Sequence, residues 1–327
     1  MAHKSIHFNC IFDRLIDLGW DFNSRNKHGS TILHEVCKSG HLKLLNRILE
    51  FNVKIDLIDS DGYSPIHYAC KEGHLEIFDL ILSHDPNFDI NVVNSINGMG
   101  FLHLAVNYGH LEVVKSIVSD PKANVNLIDT NGLIPLNLAC EKGDVKFVNV
   151  LLEHGSVVNI NRFSPIHTAT FCGHLHIVEI LLDSVGADPN LKDELGQTAL
   201  HLACNLGHFQ IAKKLIDSGA HVNIEGPVGR YPIHNACINN YEKILQLLIT
   251  NGSKMDVLDD SGHSPLHLAC GGGNTSLIDV LLQHGANPSI SDKSGKIPLH
   301  YAHENMHKRI VSKLIEFASK DICRKLC

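Results

Sequence analysis

A tetrapeptide ending in histidine recurs along the chain and constrains the possible folds more than any other feature. Clear copies, in which Ser or Thr, Pro, Leu or Ile and His are the commonest residues, lie at 31–34, 64–67, 164–167, 198–201, 231–234, 264–267 and 297–300. Weaker copies at 100–103 and 134–137 fill the two gaps, and the second of them ends in Asn137. The nine fourth residues are 33, 36, 34, 30, 34, 33, 33 and 33 positions apart. A period of this kind predicts an array of stacked structural units.

A glycine precedes the fourth residue by five positions in eight of the nine copies. These glycines are Gly29, Gly62, Gly98, Gly132, Gly196, Gly229, Gly262 and Gly295. In the fifth copy the same place is taken by Arg162, where the connection is shortened. The glycines predict a turn before each tetrapeptide, because glycine adopts left-handed backbone conformations without steric cost.

One unit, residues 59–89, shows why these residues recur. Ser64 followed by Pro65 predicts a helix start, since serine caps a helix and proline tolerates the first helical position. The apolar residues 66, 69 and 70 then lie on one helical face, and Gly73 ends the helix. The apolar residues 75, 77, 78, 81 and 82 predict a second amphipathic helix. Neither short helix can bury its apolar stripe alone, so each unit must stack on its neighbours.

Bulk composition limits the classes of protein that the chain can represent. Its 327 residues are 44% hydrophobic and carry a net charge of −7. No stretch concentrates enough basic residues to neutralise a run of phosphates, so we expect no nucleic-acid partner. No signal peptide and no run of 18 apolar residues occurs, so we expect no membrane association. The basic residues near the C-terminus are spaced like the solvated face of a last helix.

Cysteine and histidine spacing raises the question of metal or disulfide chemistry. Six of the ten cysteines occupy one repeated position, three residues after the fourth tetrapeptide residue: Cys37, Cys70, Cys140, Cys204, Cys237 and Cys270. Five of them complete an H-x-x-C pattern with residue types that bind zinc. Residues used once per unit meet only at the repeat spacing, on the order of 10 Å for stacked helices, which is beyond the reach of a disulfide. We therefore interpret them as reduced core residues, with no metal, no cofactor and a reducing intracellular compartment.

The chain resembles the ankyrin-repeat family in its roughly 33-residue period and its tetrapeptide signature. Further marks of the family are Gly-Ala-Asp-Pro-Asn at 186–190 and Gly-Ala-His-Val-Asn at 219–223. The resemblance covers residues 11–319 and implies an all-α, right-handed curved solenoid of helix-turn-helix units with β-hairpin fingers. We expect an N-terminal capping half repeat at 8–29, nine repeats in one continuous array at 30–319 and a C-terminal tail at 320–327.

The resemblance also implies a function. Ankyrin solenoids are non-catalytic and bind partner proteins in a concave groove, so we expect a monomeric, cytoplasmic scaffold or adaptor that binds a segment of another protein. The nucleus is an alternative compartment. A second reading is a regulatory or substrate-recognition module of a larger protein, such as a ubiquitin-ligase adaptor, a kinase or a channel. An enzyme is the third class, and no motif in the sequence supports it.

The residue after the turn glycine predicts where the partner binds, because in this family that residue belongs to a finger pointing into the groove. It is apolar and large in four consecutive repeats, as Tyr63, Met99, Leu133 and Phe163, and polar in the next four. Two further groove positions, at the ends of the first helices, add Tyr108 and Phe171. We predict that these six residues form the partner-binding patch. The alternative is that they pack against neighbouring fingers.

A last expectation rests on the resemblance alone. Asparagines at one point of ankyrin repeats are substrates for an oxygenase that hydroxylates the β-carbon in animal cells. The corresponding residues here are Asn23, Asn91, Asn126, Asn159, Asn190 and Asn223. The units with Asp56, Asp256 and Ser289 at this point lack the acceptor.

Overall fold

A computed structural model describes residues 14, 16–160 and 164–326, with side chains described as far as 319. Eighteen α-helices lie within residues 32–326, together with one short 3-10 helix, Pro227–Gly229. The only pairings of extended backbone among these residues are the isolated bridges between Val93 and Gly100 and between Lys192 and Thr198. The expected all-α repeat architecture is confirmed, with fingers that are turns carrying at most one bridge.

The chain divides into two compact units, Met1–Val157 and Val158–Cys327. The helices of the first unit are α1 (Ile32–Ser39), α2 (Leu42–Ile48), α3 (Pro65–Glu72), α4 (Leu75–His84), α5 (Phe101–Tyr108), α6 (Leu111–Ser119), α7 (Pro135–Lys142) and α8 (Val145–Glu153). Odd-numbered helices are the first helices of repeats 1 to 4, and even-numbered helices are the second ones.

The second unit continues the same alternation through repeats 5 to 9. Its helices are α9 (Pro165–Phe171), α10 (Leu175–Asp183), α11 (Ala199–Leu206), α12 (Phe209–Asp217), α13 (Pro232–Ile238), α14 (Glu242–Thr250), α15 (Pro265–Gly272), α16 (Thr275–Gln283), α17 (Pro298–Glu304) and α18 (Lys308–Leu326). The last helix is the longest of these and includes residues 320–326 of the segment that we expected to be a tail.

The start and end of each first helix follow from local chemistry. In repeat 2 the backbone N–H of Ser64 donates to Nδ1 of His67 at 3.0 Å, and the Ser64 hydroxyl lies 2.7 Å from the same nitrogen. Pro65 takes the first helical position. The helix ends at Gly73, whose φ of 79° is left-handed and favours glycine. Repeat 4 keeps the turn bond without a histidine, because Oδ1 of Asn137 accepts from the Ile134 N–H at 3.1 Å.

Stacking within each unit pairs like helices. First helices pack on first helices of the next repeat and second helices on second helices, as in α1 on α3 and α2 on α4. Polar side chains join successive second helices at their surfaces: the Ser116 hydroxyl donates to Asp79 at 2.6 Å, and the Ser276 hydroxyl donates to Glu242 at 2.7 Å. The core between the helices is apolar and includes the buried Phe78. Each unit therefore buries stripes that a single repeat would leave exposed.

An acidic or amide side chain stabilises the turn in seven of the described fingers. In repeat 2, Oδ1 of Asp59 accepts the N–H groups of Asp61 and Tyr63, both at 3.0 Å, so the side chain itself stabilises the turn. Backbone hydrogen bonds connect successive fingers. Ser60 N–H donates to His28 O at 2.9 Å, and corresponding bonds join residues 95 to 62 and 130 to 97 in the first unit, and 260 to 228 and 293 to 261 in the second.

The six cysteines of the repeated position are buried and free, as expected. Burial raises the pKa of the Cys70 thiol, and that of Cys270 to about 12. These thiols are therefore neutral, weakly reactive core groups. Of the expected N-terminal cap, residues 8–13 and 15 lie outside the described part, while Phe22 is buried against Phe51 with ring centroids 5.0 Å apart.

Candidate protein-binding face

The signature histidine of one repeat fixes the finger residue of the next. Nε2 of His34 lies 3.1 Å from the Tyr63 carbonyl oxygen, and Nδ1 accepts the N–H of Thr31 at 3.0 Å. Because Nδ1 is an acceptor, the hydrogen of the neutral ring is on Nε2, which therefore donates to the carbonyl. His103, His167, His201, His234 and His267 make the same contact with Leu133, Gln197, Arg230, His263 and Lys296 at 3.0–3.2 Å.

Burial keeps the imidazole rings of these histidines neutral. Burial lowers the pKa of His67 to about 3, and burial lowers the pKa of both His201 and His234 to about 4, despite opposing hydrogen bonds to backbone carbonyls. A charged ring would lose hydration and could not accept at Nδ1. These histidines position the fingers through hydrogen bonds. The two buried ring nitrogens without a hydrogen-bond partner among the described residues are Nε2 of His67 and Nδ1 of His167.

In the first unit, the predicted patch residues differ in exposure. Tyr63, Met99 and Leu133 are half-buried, whereas Tyr108, the last residue of α5, is 47% exposed. Tyr63 is held by its neighbours: its ring lies 5.5 Å from that of Tyr68, edge to face. The finger side chains are therefore partly covered by adjacent groups, and Tyr108 presents the largest accessible aromatic surface of these four.

Lys71 lies between two of the predicted residues. Its Nζ is 5.6 Å from the ring centroid of Tyr63 and 5.3 Å from that of Tyr108, which places one ammonium on two aromatic rings. The Tyr63 hydroxyl accepts from the Asn97 side chain at 3.2 Å. Fingers and first-helix ends from repeats 2 and 3 thus form one connected surface, which we call the Lys71 cluster (Tyr63, Lys71, Asn97 and Tyr108).

In the second unit, Phe171 ends α9 and is 64% exposed. Phe163, predicted to be its neighbour in the patch, and Arg162, at the shortened finger, lie outside the described residues. Phe171 corresponds in position to Lys71, four residues after the signature histidine. An exposed phenylalanine at the end of a first helix is the feature of this unit that most resembles an interaction hot spot.

The polar finger residues of the second unit include His263, which joins repeats 8 and 9. Its Nδ1 lies 3.2 Å from Oδ2 of Asp259, and its Nε2 lies 2.9 Å from the Tyr301 hydroxyl. That hydroxyl donates to Oδ2 of Asp292 at 2.5 Å. Hydrogen bonds from Tyr301, Ser294 and the backbone lower the pKa of Asp292 despite its burial, and burial with the same bond raises the pKa of Tyr301 to about 12. This cluster is internally satisfied.

Sequence reasoning missed an aliphatic row on the fingers of the first unit. The residue just before the turn Asp or Asn is Ile58, Val93 or Ile128, with exposed fractions of 41%, 39% and 59%. Ile96, in the repeat 3 finger, is 64% exposed. The signal was present in the sequence, since these β-branched residues precede the turn in three successive repeats. They extend the apolar character of the face beyond the predicted residues.

The six asparagines of the repeated position make one and the same contact. Nδ2 of each donates to a backbone carbonyl of the next repeat, and Oδ1 accepts a backbone N–H two residues further on, as in Asn223 with Gly252 O and Lys254 N, both at 2.9 Å. The donor distances of the others, Asn23, Asn91, Asn126, Asn159 and Asn190, are 2.6–3.1 Å. Asp256 keeps the acceptor half of this clamp, from Asn287 N at 2.9 Å.

Two other kinds of site are absent from the described residues. No group of three or more His, Cys, Asp or Glu side chains is placed to hold a metal ion there. Within the same residues, no helix has the length and apolar character needed to cross a bilayer.

The chain belongs to the ankyrin-repeat family. A family profile described as ankyrin repeats in three copies matches residues 2–94, 102–193, 185–259 and 233–325. Repeats of this family mediate protein–protein interactions, and their fold is a non-catalytic interaction module.

Several curated proteins share part of this sequence. The chain is 36% identical to human BCL-6 corepressor-like protein 1 over 34% of its own length and 6% of that protein. It is 32% identical to human transient receptor potential cation channel subfamily A member 1 over 37% of its length and 11% of the channel. Identity to the probable 26S proteasome regulatory subunit p28 of Saccharomyces cerevisiae is 30%, over 57% of this chain and 83% of that protein. The chain thus spans only a small part of the first two relatives.

Proposed function

We propose that this protein is a non-catalytic scaffold or adaptor that binds a segment of a partner protein on the face formed by its fingers and first-helix ends. The observation that carries the proposal is the exposure of Tyr108 and Phe171 at the ends of first helices. Exposed aromatic side chains on a preorganised surface are typical of binding hot spots. The half-buried Tyr63, Met99 and Leu133 support the same face in the first unit.

Rigidity of the finger row supports this proposal. The fingers of repeats 2, 4, 8 and 9 are each held by their own turn side chain, by the neighbouring finger and by the histidine of the preceding repeat, so these parts of the surface need little ordering when a partner binds. A folded partner segment or an extended one would therefore meet a preformed surface. The protein would act in the cytoplasm as a monomer, without cofactor, nucleic acid or membrane.

The second candidate is a regulatory module that belongs to a larger protein. The observation in its favour is that the cation channel and the corepressor-like protein match this chain over only 11% and 6% of their own lengths. In proteins of that kind the repeats form one part of a longer chain. A ubiquitin-ligase adaptor, a kinase or a channel would then provide the activity that this segment directs.

Site-specific photocrosslinking tests the binding face. A photoreactive amino acid replaces Tyr108 or Phe171 in the full chain, and a matched probe replaces Val185, which is fully exposed but follows the second helix α10. We expect crosslinks to the same protein from position 108 and from position 171, and none from position 185. Mass spectrometry identifies the crosslinked protein.

The affinity of variants for the identified partner then measures how much Tyr108 and Phe171 contribute to binding. Tyr108→Ser and Phe171→Ser should each weaken binding by about 2 kcal/mol or more, near thirtyfold in Kd, with an unchanged melting temperature. Val185→Ser is the control and should bind as the native chain does. A loss of stability with intact affinity would show that these residues pack within the repeats and would refute the face.

A further inference from the structure

Two lysines on the face of the first unit indicate the chemistry of its partner. Lys38 and Lys71 occupy the same position in successive first helices, four residues after His34 and His67. Nζ of Lys38 lies 5.6 Å from the ring centroid of Tyr68, just as Nζ of Lys71 lies over Tyr63 and Tyr108. Two ammonium groups are thus held on tyrosine rings, one repeat apart.

Neither ammonium forms an ion pair with a carboxylate of the described residues. Glu35 and Glu72 are exposed on the same helices, yet neither lies within ion-pair distance of Lys38 or Lys71 among the described residues. Asp59 is the buried carboxylate of the repeat 2 finger. Its Oδ1 accepts the N–H groups of the turn, and its Oδ2 accepts from the Tyr68 hydroxyl at 2.7 Å. The two cations therefore keep their capacity to pair with an external anion.

Aromatic contacts make these lysines better suited to binding than freely mobile ones. A cation on a tyrosine face loses side-chain freedom before the partner arrives, so less entropy is lost on binding. Lys71 is also fixed through its backbone, since its carbonyl accepts from Nε2 of His110 at 2.9 Å. Exposed Tyr108 and half-buried Tyr63 flank the ammonium with apolar surface, which lowers the local dielectric and strengthens a charge-assisted hydrogen bond.

We propose that the first unit binds an acidic segment of its partner protein, with one carboxylate on Lys71 and a second on Lys38. The proposal rests on the proposed function and adds the chemistry of the partner. First helices of neighbouring repeats lie on the order of 8–10 Å apart, and a polyproline II segment advances about 3.1 Å per residue with about three residues per turn. Acidic residues three positions apart in such a segment lie on one face, about 9 Å apart, and therefore match the two lysines.

A displayed library of random peptides, selected on the full chain, tests this chemistry directly. We expect enrichment of sequences with Asp or Glu three positions apart. Synthetic peptides from this selection should bind at least tenfold more weakly to Lys71→Met and to Lys38→Met, whereas Lys71→Arg retains affinity because it keeps the cation on the rings. Lys146→Met is the matched control, because Lys146 is an exposed lysine on second helix α8, and it should leave binding unchanged. Affinity should also fall as salt concentration rises.

The outcomes separate this inference from the function on which it rests. Enriched peptides without acidic residues, whose binding is lost in Tyr108→Ser but not in Lys71→Met, would overturn the inference and leave the binding face intact. Peptides whose binding depends on neither Tyr108 nor the lysines would overturn both. Melting temperatures of the lysine variants within a degree or two of the native chain show that a loss of affinity is not a loss of fold.

Discussion

His201 donates its Nε2 hydrogen to the carbonyl oxygen of Arg230 in the next repeat, across 3.2 Å. Nδ1 of the same ring accepts the N–H of Thr198 at 3.2 Å and lies 2.8 Å from its hydroxyl. One neutral imidazole therefore caps the start of its own helix through Nδ1 and holds the finger of the next repeat through Nε2. Protonation would remove the acceptor at Nδ1, so the charge state of the ring is coupled to the cohesion of the array.

Acid sensitivity follows from the buried histidines. Burial lowers the pKa of His201 from 6.5 to about 4 in the folded chain, so between these values the unfolded chain takes up a proton that the folded chain does not. Stability should therefore be independent of this group above pH 6.5 and fall by about 1.4 kcal/mol per pH unit as the pH drops towards 4. Urea unfolding at several pH values measures this slope.

His201→Asn isolates the contribution of one ring, because Asn137 occupies the same position in repeat 4 and keeps the turn bond. The variant should show a shallower dependence between pH 6.5 and 4, by about one proton. His300→Asn is the control, since His300 is exposed at the signature position of repeat 9. Equal slopes for His201→Asn and the native chain would contradict the assignment.

The asparagine clamp predicts a graded loss of stability. Asn223→Ala removes two hydrogen bonds to the next repeat and should lower the free energy of unfolding by about 1–3 kcal/mol. Asn223→Asp keeps the acceptor for Lys254 N but not the donor to Gly252 O, as Asp256 does naturally, and should cost less than Asn223→Ala. Chemical denaturation measures the free energy of unfolding of the native chain and the two variants. Equal values for all three would show that the asparagine hydrogen bonds to the next repeat do not contribute to stability.

Alanine substitutions at two helix-ending glycines distinguish the cost of backbone strain from the cost of a steric clash. Gly73 and Gly109 have φ values of 79° and 83°, so alanine at either should cost roughly 1–2 kcal/mol through its left-handed backbone. A Cβ on Gly73 would also overlap the His110 imidazole, whereas one on Gly109 meets no atom within 4 Å. Gly73→Ala should therefore be the more destabilising variant in thermal melts, and the opposite order would refute the His110 packing.

Folding should require neither a metal nor a disulfide. The repeated cysteines are buried core groups and most ring nitrogens of the signature histidines contact backbone atoms, so EDTA with a reducing agent should shift the melting temperature by no more than a degree or two. A structural zinc ion or disulfide would instead contribute several kcal/mol. A large downward shift in either reagent alone would identify which one is present.

Asparagine hydroxylation stays a prediction of the family resemblance. All six candidates hold their side chains in clamp geometry, so any oxygenase must act on a locally opened repeat. Mass spectrometry of the protein from animal cells should find added oxygen only on peptides with Asn23, Asn91, Asn126, Asn159, Asn190 or Asn223. Unmodified peptides at all six positions would contradict the prediction of hydroxylation.

Sequence alone determined the fold. The start and end of a first helix are set by residues close together in sequence: the capping hydroxyl, the proline, the histidine and the terminal glycine. Their spacing therefore specifies the helix independently of the rest of the chain. The repeated period then requires stacking, because each short amphipathic helix needs a neighbour to bury its stripe. The buried position of the repeated cysteines followed from this local logic.

Only the tertiary structure decided how the candidate face is arranged, because exposure and pairing depend on residues from adjacent repeats. Tyr63 looked like a freely exposed finger residue, yet Tyr68 and Asn97 partly cover and hold it. Lys71 carried no distinguishing sequence signal; its ammonium gained a role because stacking places aromatic rings from two repeats around it. A side chain's neighbours across a repeat boundary lie roughly 30 residues away in sequence, beyond the range of local pattern.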